Sequence, residues 1–231
     1  MDKKIIKEIF CYKNEEYAAH HQSFFKTGKG EYGEGDLFIG VRGPSLREIS
    51  KKYYKHTTLH NINNLITNPY HEVRACCLMI MVLKYKKASE KEKEGLFDIY
   101  TKNLNHINNW DLVDISAQYI VGPHVFGFDD FLFNLASSNH LWSQRVAMIA
   151  TFYNIRQGEF STTLRLAEYF LSHNHDLMHK ASGWMLREMG KRDIKPLRNF
   201  LDKYSKSMPR TMLRYAIEKL PDEERKKYLQ K

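Results

Sequence analysis

The chain has 231 residues, of which 42% are hydrophobic and 27% charged. It is long enough to bury a sizeable core, and this composition excludes disorder as its main state. The formal net charge of +9 and the pI of about 9.3 favour a polyanionic partner. DNA or RNA is favoured over an anionic membrane surface, although charge alone does not choose among them.

Signals for export, membrane insertion or metal binding are missing from the sequence. The N-terminus lacks the apolar segment of a signal peptide, and the longest apolar run, residues 75–83, is too short to span a bilayer. We therefore expect a soluble cytoplasmic protein. Cys11 stands alone, whereas Cys76 and Cys77 lie in the apolar run, where reduced thiols are expected. The scattered histidines lack the spacing of a zinc site, so we predict neither a metal nor a cofactor.

The first quarter of the chain contains its one long irregular stretch. Residues 1–25 are predicted to form one or two helices. Residues 26–36 hold four glycines and are predicted to form a loop. Its spacing fits neither a P-loop nor a dinucleotide fingerprint, so nucleotide binding is not expected. Pro44 is placed to open a helix over residues 45–52.

The rest of the chain shows helical periodicity and helix stop signals without a competing strand pattern. The predicted helices cover residues 59–66, 72–86, 90–103, 110–121, 129–135, 141–156, 160–172, 176–189, 194–204, 210–220 and 221–229. The short connections between them favour antiparallel neighbouring helices. The predicted fold class is therefore all-α.

An internal repeat becomes visible when alternate helices are aligned on a small residue. The aligned residues are Ala75, Ala117, Ala147, Ala181 and Ala216, with separations of 42, 30, 34 and 35 residues. These intervals fit helix-pair repeats of the HEAT or armadillo type. We predict that residues 1–231 form a single domain, an α-solenoid of HEAT-like repeats.

A basic residue precedes four of these alanines by one or two positions. The four are Arg74, Arg145, Lys180 and Arg214. If these helices line the inner surface of the solenoid, the cations form a row along a concave groove that could follow a phosphodiester backbone. The alternative is that some are buried structural arginines that bond helix carbonyls between repeats.

The most informative stretch surrounds Trp110 and Asp114. Asn109 suits an N-cap, Asp111 suits the positive end of the helix dipole, and Gly122-Pro123 is a stop signal. Trp110 and Asp114 are four residues apart and should share one helix face. A carboxylate beside an aromatic face suits a cationic or oxocarbenium-like species. The alternative is that Trp110 anchors the core and Asp114 caps a helix or forms a salt bridge.

The two other tryptophans also lie near cations in helices that carry an aligned alanine. Trp142 precedes Arg145, and Trp184 is followed by Arg187. Tryptophans with a row of cations are typical of nucleic-acid binding. The apolar neighbours of Trp142 favour core packing, so we leave it out of the site. Trp184 follows Gly183, which should leave an open surface around the indole.

Four motifs together resemble the bacterial DNA alkylation repair (AlkD) family of HEAT-like DNA glycosylases. They are N-W-D-L-V-D at residues 109–114, L-W-x-x-R-x-A at 141–147, K-A-x-G-W-x-L-R-E at 180–188 and G-x-G-E-Y-G-E-G-D at 28–36. The resemblance extends from about residue 24 to residue 229. It implies a solenoid that holds duplex DNA in a basic concave face and excises N3- and N7-alkylated purines without a metal or redox cofactor.

The resemblance also implies roles for individual residues. Trp110 and Trp184 would be aromatic walls, Asp114 the catalytic carboxylate, and Arg145 the cation next to the backbone of the lesion. Three residues depart from the usual family pattern, Lys29, Gly43 and Asn109. They put lesion range and groove rigidity in doubt.

The sequence therefore predicts a monofunctional DNA glycosylase for cationic alkylpurines in duplex DNA, acting in base excision repair as a monomer. Its catalytic residues are Asp114, Trp110 and Trp184, and its DNA-binding residues are Arg145, Lys180, Arg187, Arg74 and Arg214. The main alternative is a non-catalytic helical-repeat scaffold that binds nucleic acid or protein through the same face. An RNA-binding helical repeat is a third possibility, although no base-reading repeat code is present.

Overall fold

The computed structural model describes residues 1–230 and confirms the all-α prediction. Within that range there is no β-strand, and extended pairing is limited to an isolated parallel bridge between Leu37 and Tyr70. None of the helices in the described range is long and apolar enough to cross a bilayer. The chain divides into two compact units, residues 1–120 and the residues from 121 onward. The grouping of the whole chain into one domain stays a prediction.

The first unit is built around the helix over residues 71–85. Its helices are α1 (Asp2–Phe10), α2 (Glu15–Phe24), α3 (Gly43–Tyr53), α4 (Leu59–Ile66), α5 (His71–Tyr85), α6 (Glu90–Lys102) and α7 (Trp110–Asp114), followed by α8 (Ala117–His124), which includes the boundary. The sequence of α5 is apolar on almost every side, which is typical of a helix surrounded by others. It packs against α1, α3, α4, α6 and α7.

The second unit has a corresponding central helix, α12. Its helices are α9 (Asp130–Ala136), α10 (Leu141–Arg156), α11 (Ser161–Tyr169), α12 (Asp176–Arg192), α13 (Ile194–Tyr204), α14 (Arg210–Ala216) and α15 (Asp222–Leu229). Helix α12 packs against α10, α11, α13 and α14.

The alanines that define the repeat are buried in both units. Ala117, Ala147 and Ala181 have no exposed surface, Ala216 has 1% and Ala75 has 4%. A small buried residue at this position allows close helix packing, as the repeat pattern predicted.

The prediction of one continuous helix over residues 110–121 was wrong, because the helix is interrupted at residues 115 and 116. The Ser116 amide bonds the Val113 carbonyl at 3.1 Å, a tighter turn than an α-helix makes, and the Ser116 hydroxyl bonds the Leu112 carbonyl at 2.5 Å. The fully buried Tyr100 hydroxyl lies 3.0 Å from the same serine oxygen. These bonds end α7 immediately after Asp114.

The prediction that Gly122-Pro123 stops the helix was also wrong. Helix α8 continues through Pro123 to His124. A Cβ atom on Gly122 would lie 2.5 Å from the Ala150 carbonyl oxygen and 2.6 Å from Tyr153 Cβ. Gly122 therefore allows α8 and α10 to approach closely and does not act as a helix terminator.

Gly183 has the same function in α12, which corrects the expectation of an open surface there. It is buried, and a Cβ atom on it would lie 2.5 Å from both the Met212 carbonyl oxygen and Tyr215 Cβ. The residue before Trp184 is thus a close contact between α12 and α14.

Candidate active site

Helix α7 is fixed at its N-terminus by Asn109, as predicted. The buried Asn109 side chain accepts a hydrogen bond from the Trp110 amide at 2.9 Å and donates one to the Phe25 carbonyl at 3.3 Å. Asn109 therefore caps α7 and also ties it to the end of α2. This second contact gives a physical reason for asparagine at this position.

A buried polar network holds the first turn of α7. His71 Nε2 lies 2.8 Å from Asp111 Oδ2, and His71 Nδ1 lies 3.1 Å from Asp36 Oδ2. Asp36 also accepts hydrogen bonds from Arg74 and Asn108, both at 2.7 Å. The network connects the end of the glycine-rich segment to α5 and α7.

The carboxylates of this network, Asp36 and Asp111, lie next to the cationic side chains of His71 and Arg74. Burial opposes the charged form of His71, but Asp111 and Asp36 outweigh burial and raise the pKa of His71 to about 9. Burial likewise disfavours the Asp36 carboxylate, but bonds from His71, Arg74 and Asn108 lower the pKa of Asp36. These shifts favour the charged forms of both His71 and Asp36 at neutral pH.

Glu72 anchors the segment that precedes α3. Its buried carboxylate accepts hydrogen bonds from the amides of Ile39, Gly40 and Val41, the shortest at 2.7 Å. Three converging amides form a concave anion site, which here is occupied by the protein's own carboxylate.

Trp110 lies at the edge of an aromatic cluster. Its ring contacts Phe24 edge-on at 5.9 Å and Phe25 at 5.5 Å between ring centroids. Phe25 in turn stacks on Phe38 at 5.3 Å. Trp110 is half-buried and Phe24 is 54% exposed. The indole is thus supported from one side and partly open to solvent, which is compatible with either sequence interpretation of Trp110.

Asp114 opens into a cleft of about 390 Å³ in the first unit. The other residues that line this cleft come from α3, α5 and the segment that follows α7, and they are Arg47, Ser50, Lys51, Met79, Val82, Leu83, Ile115, Gln118 and Tyr119. Asp114 is half-buried, and its backbone carbonyl accepts a hydrogen bond from Gln118 at 2.8 Å. The cleft therefore combines a carboxylate, an aromatic ring and two cations.

Sequence reasoning missed the two cations in this cleft. Arg47 and Lys51 are exposed and lie one turn apart on α3. Within residues 1–230 neither makes an ion pair, whereas the adjacent Lys52 pairs with Glu8 at 2.7 Å. The only sequence signal was their spacing of four residues, which did not show that α3 lies near Asp114. Tyr119 belongs to the cleft too, and Lys86 lies 5.0 Å from its ring.

Arg74 is buried, so its predicted contact with DNA does not fit its position. It is 3% exposed, and its guanidinium bonds the carbonyls of Asn68 and Pro69 as well as Asp36 and Asn108. These contacts match the alternative of a buried structural arginine, although the carbonyls that it bonds belong to the loop between α4 and α5 and not to a helix. We leave Arg74 out of the proposed interface.

Arg145 and Lys180 both lie near the N-terminus of α12. Arg145 is 4% exposed and bonds the Leu177 carbonyl at 2.6 Å. Lys180 is partly exposed and pairs with Asp176 at 2.7 Å. Burial lowers the pKa of His175, the N-cap of α12, and the charges of Arg145 and Lys180 lower it further. The structure thus groups two of the predicted cations at one positive helix terminus.

Trp184 is held by a neighbouring carboxylate on α12. Its indole Nε1 donates to Glu188 at 3.1 Å, and Lys191 donates to the same oxygen at 2.6 Å. The Trp184 ring contacts Phe152 edge-on at 5.9 Å. The indole is half-buried in a fixed orientation.

The two remaining predicted cations have different environments. Arg187 forms ion pairs with Glu188 and Glu218 and is 17% exposed. Arg214, on α14, is exposed. Arg214 is therefore accessible as it stands, whereas Arg187 must exchange a carboxylate partner for any phosphate.

Comparisons with known proteins agree with this architecture. The family model described as DNA alkylation repair enzyme matches residues 5–220. A solved structure described as a predicted DNA alkylation repair enzyme from Enterococcus faecalis is similar, with a TM-score of 0.70 and 17% sequence identity over 91% of this chain and 97% of that chain. At that identity the likeness shows the fold alone. The comparison with curated proteins gave no match. Since the family model covers nearly the whole sequence, this chain belongs to the DNA alkylation repair enzyme family.

Proposed function

We propose that this protein is a DNA glycosylase that hydrolyses the N-glycosidic bond of cationic N3- and N7-alkylated purines in duplex DNA. Membership of a DNA alkylation repair family supports the class of substrate. The observation that carries the proposal is the cleft that Asp114 lines together with Tyr119 and the cations Arg47 and Lys51.

The chemistry requires little more than this cleft offers. An alkylated purine is already positively charged, so it leaves as a neutral base when the glycosidic electron pair moves onto its nitrogen. The sugar then carries the positive charge, which the Asp114 carboxylate stabilises. A water oriented by the same carboxylate attacks the anomeric carbon and releases a proton. The proposed reaction involves no redox step and no strong general acid.

The cations around the cleft serve a separate purpose in this proposal. A carboxylate repels DNA phosphates, and two cations on the rim offset that repulsion and attract the backbone. In the second unit, Lys180, Arg187 and Arg214 are the proposed DNA contacts, and Trp184 offers a second aromatic face to DNA. Arg145 is left out for the same reason as Arg74, because it is 4% exposed and its guanidinium bonds the Leu177 carbonyl.

The decisive test is release of free base from duplex DNA that contains N7-methylguanine or N3-methyladenine. We expect the purified protein to release the methylated base and to leave undamaged purines in place, as measured by chromatography of the soluble bases. If no base is released while salt-dependent DNA binding persists, the protein is instead a non-catalytic scaffold.

Loss of both cleft cations should weaken the salt dependence of DNA binding. For the Arg47→Ala/Lys51→Ala variant we expect the slope of log K against log salt concentration to fall by about 0.9 for each lost phosphate contact, or about 1.8 in total. The measurement is a titration of undamaged duplex DNA at several salt concentrations.

Lys52→Ala is the matched control because Lys52 lies on the same helix but is paired with Glu8. Its slope should equal that of the unaltered protein. An unchanged slope in the double variant would show that Arg47 and Lys51 do not contact phosphate.

A further inference from the structure

His71 connects two parts of the first unit that sequence alone does not relate. It begins α5, is 2% exposed, and bonds Asp36 through one ring nitrogen and Asp111 through the other. Its ring also stacks on Phe38 at 4.6 Å. Position and orientation of this imidazole are therefore fixed from several sides.

The two carboxylates depend on His71 to different degrees. Asp36 has two further donors, Arg74 and Asn108. For Asp111, one oxygen meets His71, and the other is buried without a hydrogen-bond partner in residues 1–230. Loss of the imidazole would thus leave Asp36 supported and Asp111 unsupported.

Asp111 is mechanically coupled to Asp114 through the short helix α7. This helix has five residues, and its closing bond runs from the Ile115 amide to the Asp111 carbonyl at 3.1 Å. A shift of Asp111 therefore moves the turn that carries Asp114. A second path runs through Phe25, whose ring lies 5.0 Å from His71 and 5.5 Å from Trp110.

We propose that His71 is a positioning residue for the reaction at Asp114, and that it acts by holding Asp111 and hence the single turn of α7 in place. This inference rests on the proposed glycosylase function for its effect on rate. Its effect on α7 itself does not depend on that function. His71 contacts no substrate in this proposal.

The first test measures α7 directly by amide hydrogen exchange in the full chain. In His71→Gln we expect exchange in residues 110–116 to accelerate at least tenfold, with α13 unchanged within twofold. His106→Gln is the control, because His106 is an exposed histidine four residues before α7. Unchanged exchange in residues 110–116, or an equal acceleration in α13, would overturn the proposal.

The second test separates positioning from binding. We expect His71→Gln to lower the single-turnover rate of base release at least tenfold while the Kd for duplex DNA stays within twofold. In His71→Gln/Asp111→Asn the neutral amide no longer leaves a buried charge unpaired, so part of the rate should return. If the double variant instead loses rate by the product of the factors lost in the two single variants, His71 does not act through Asp111. If the unaltered protein releases no base, the glycosylase proposal fails while the exchange test still decides the role of His71.

A pH series gives a third readout with the protein alone. The pKa of His71 is raised from 6.5 to about 9 by Asp111 and Asp36 against the opposing effects of burial and Arg74. The stabilisation by His71 is therefore complete below about pH 6.5 and is lost as pH rises through about 9. The stability difference between the unaltered protein and His71→Gln should shrink over that interval, and a constant difference would overturn the charged-histidine account.

Discussion

Asp114→Asn should lose base release by a factor of at least about 10² while it binds duplex DNA as tightly as the unaltered protein, or more tightly. Asparagine keeps the size of the side chain and removes its charge. The sugar cation that forms in the transition state then loses its nearby negative charge, whereas the DNA phosphates lose a source of repulsion. The measurement is single-turnover release of N7-methylguanine together with a DNA-binding titration.

Asp98→Asn is the control for this substitution. Asp98 lies on α6 in the same unit and pairs with Lys102 at 3.1 Å on the surface. Its removal should leave both the release rate and the Kd unchanged. Equal release by Asp114→Asn and the unaltered protein would exclude Asp114 from the mechanism, and another group would have to stabilise the sugar cation.

Gly183→Ala should destabilise the protein strongly for a single added methyl group. The added Cβ would lie 2.5 Å from the Met212 carbonyl oxygen, and this atom belongs to the backbone of α14 and cannot rotate away. Separating α12 from α14 to relieve the overlap costs about 2 kcal/mol, which corresponds to a decrease in Tm of about 4–8 °C in a chain of this size. Thermal denaturation followed by circular dichroism measures this change.

Gly43→Ala is the matched control because Gly43 lies in the first turn of α3, where a Cβ would meet the flexible Arg47 side chain at 3.7 Å or more. We expect its Tm to stay the same or to rise slightly, since alanine favours the helix over glycine. If Gly183→Ala behaves like Gly43→Ala, the contact between α12 and α14 is looser than the structure indicates.

The sequence predicted those features that depend on local pattern. Helix bounds at residues 59–66, 141–156 and 194–204 agree with the structure, and the N-cap role of Asn109 is confirmed. Burial of the five aligned alanines follows from the same periodicity. Each of these results depends on residues within a few positions of one another, which is the range over which helical patterns carry information.

The missed features depend on tertiary contacts. Gly122 resembles a terminator because glycine before proline usually ends a helix, but its place against Ala150 gives it a packing role. The spacing in the sequence aligned Arg74 with other cations, and only the fold shows that Arg74 is buried in an ion pair with Asp36. Arg47 and Lys51 were overlooked for the converse reason, since nothing near them in the chain indicates the cleft beside Asp114.

Internal anchoring of residues 25–41 has a consequence for the order of folding. This segment lies between α2 and α3 and is fixed by two buried carboxylates. Glu72 accepts hydrogen bonds from the amides of residues 39–41, and Asp36 bonds His71 and Arg74. A partly docked segment would leave a charge desolvated without its partners, so intermediate arrangements are disfavoured. We expect the segment to dock in a single step after α5 has formed, and its contacts to govern the rate of unfolding more than the rate of folding.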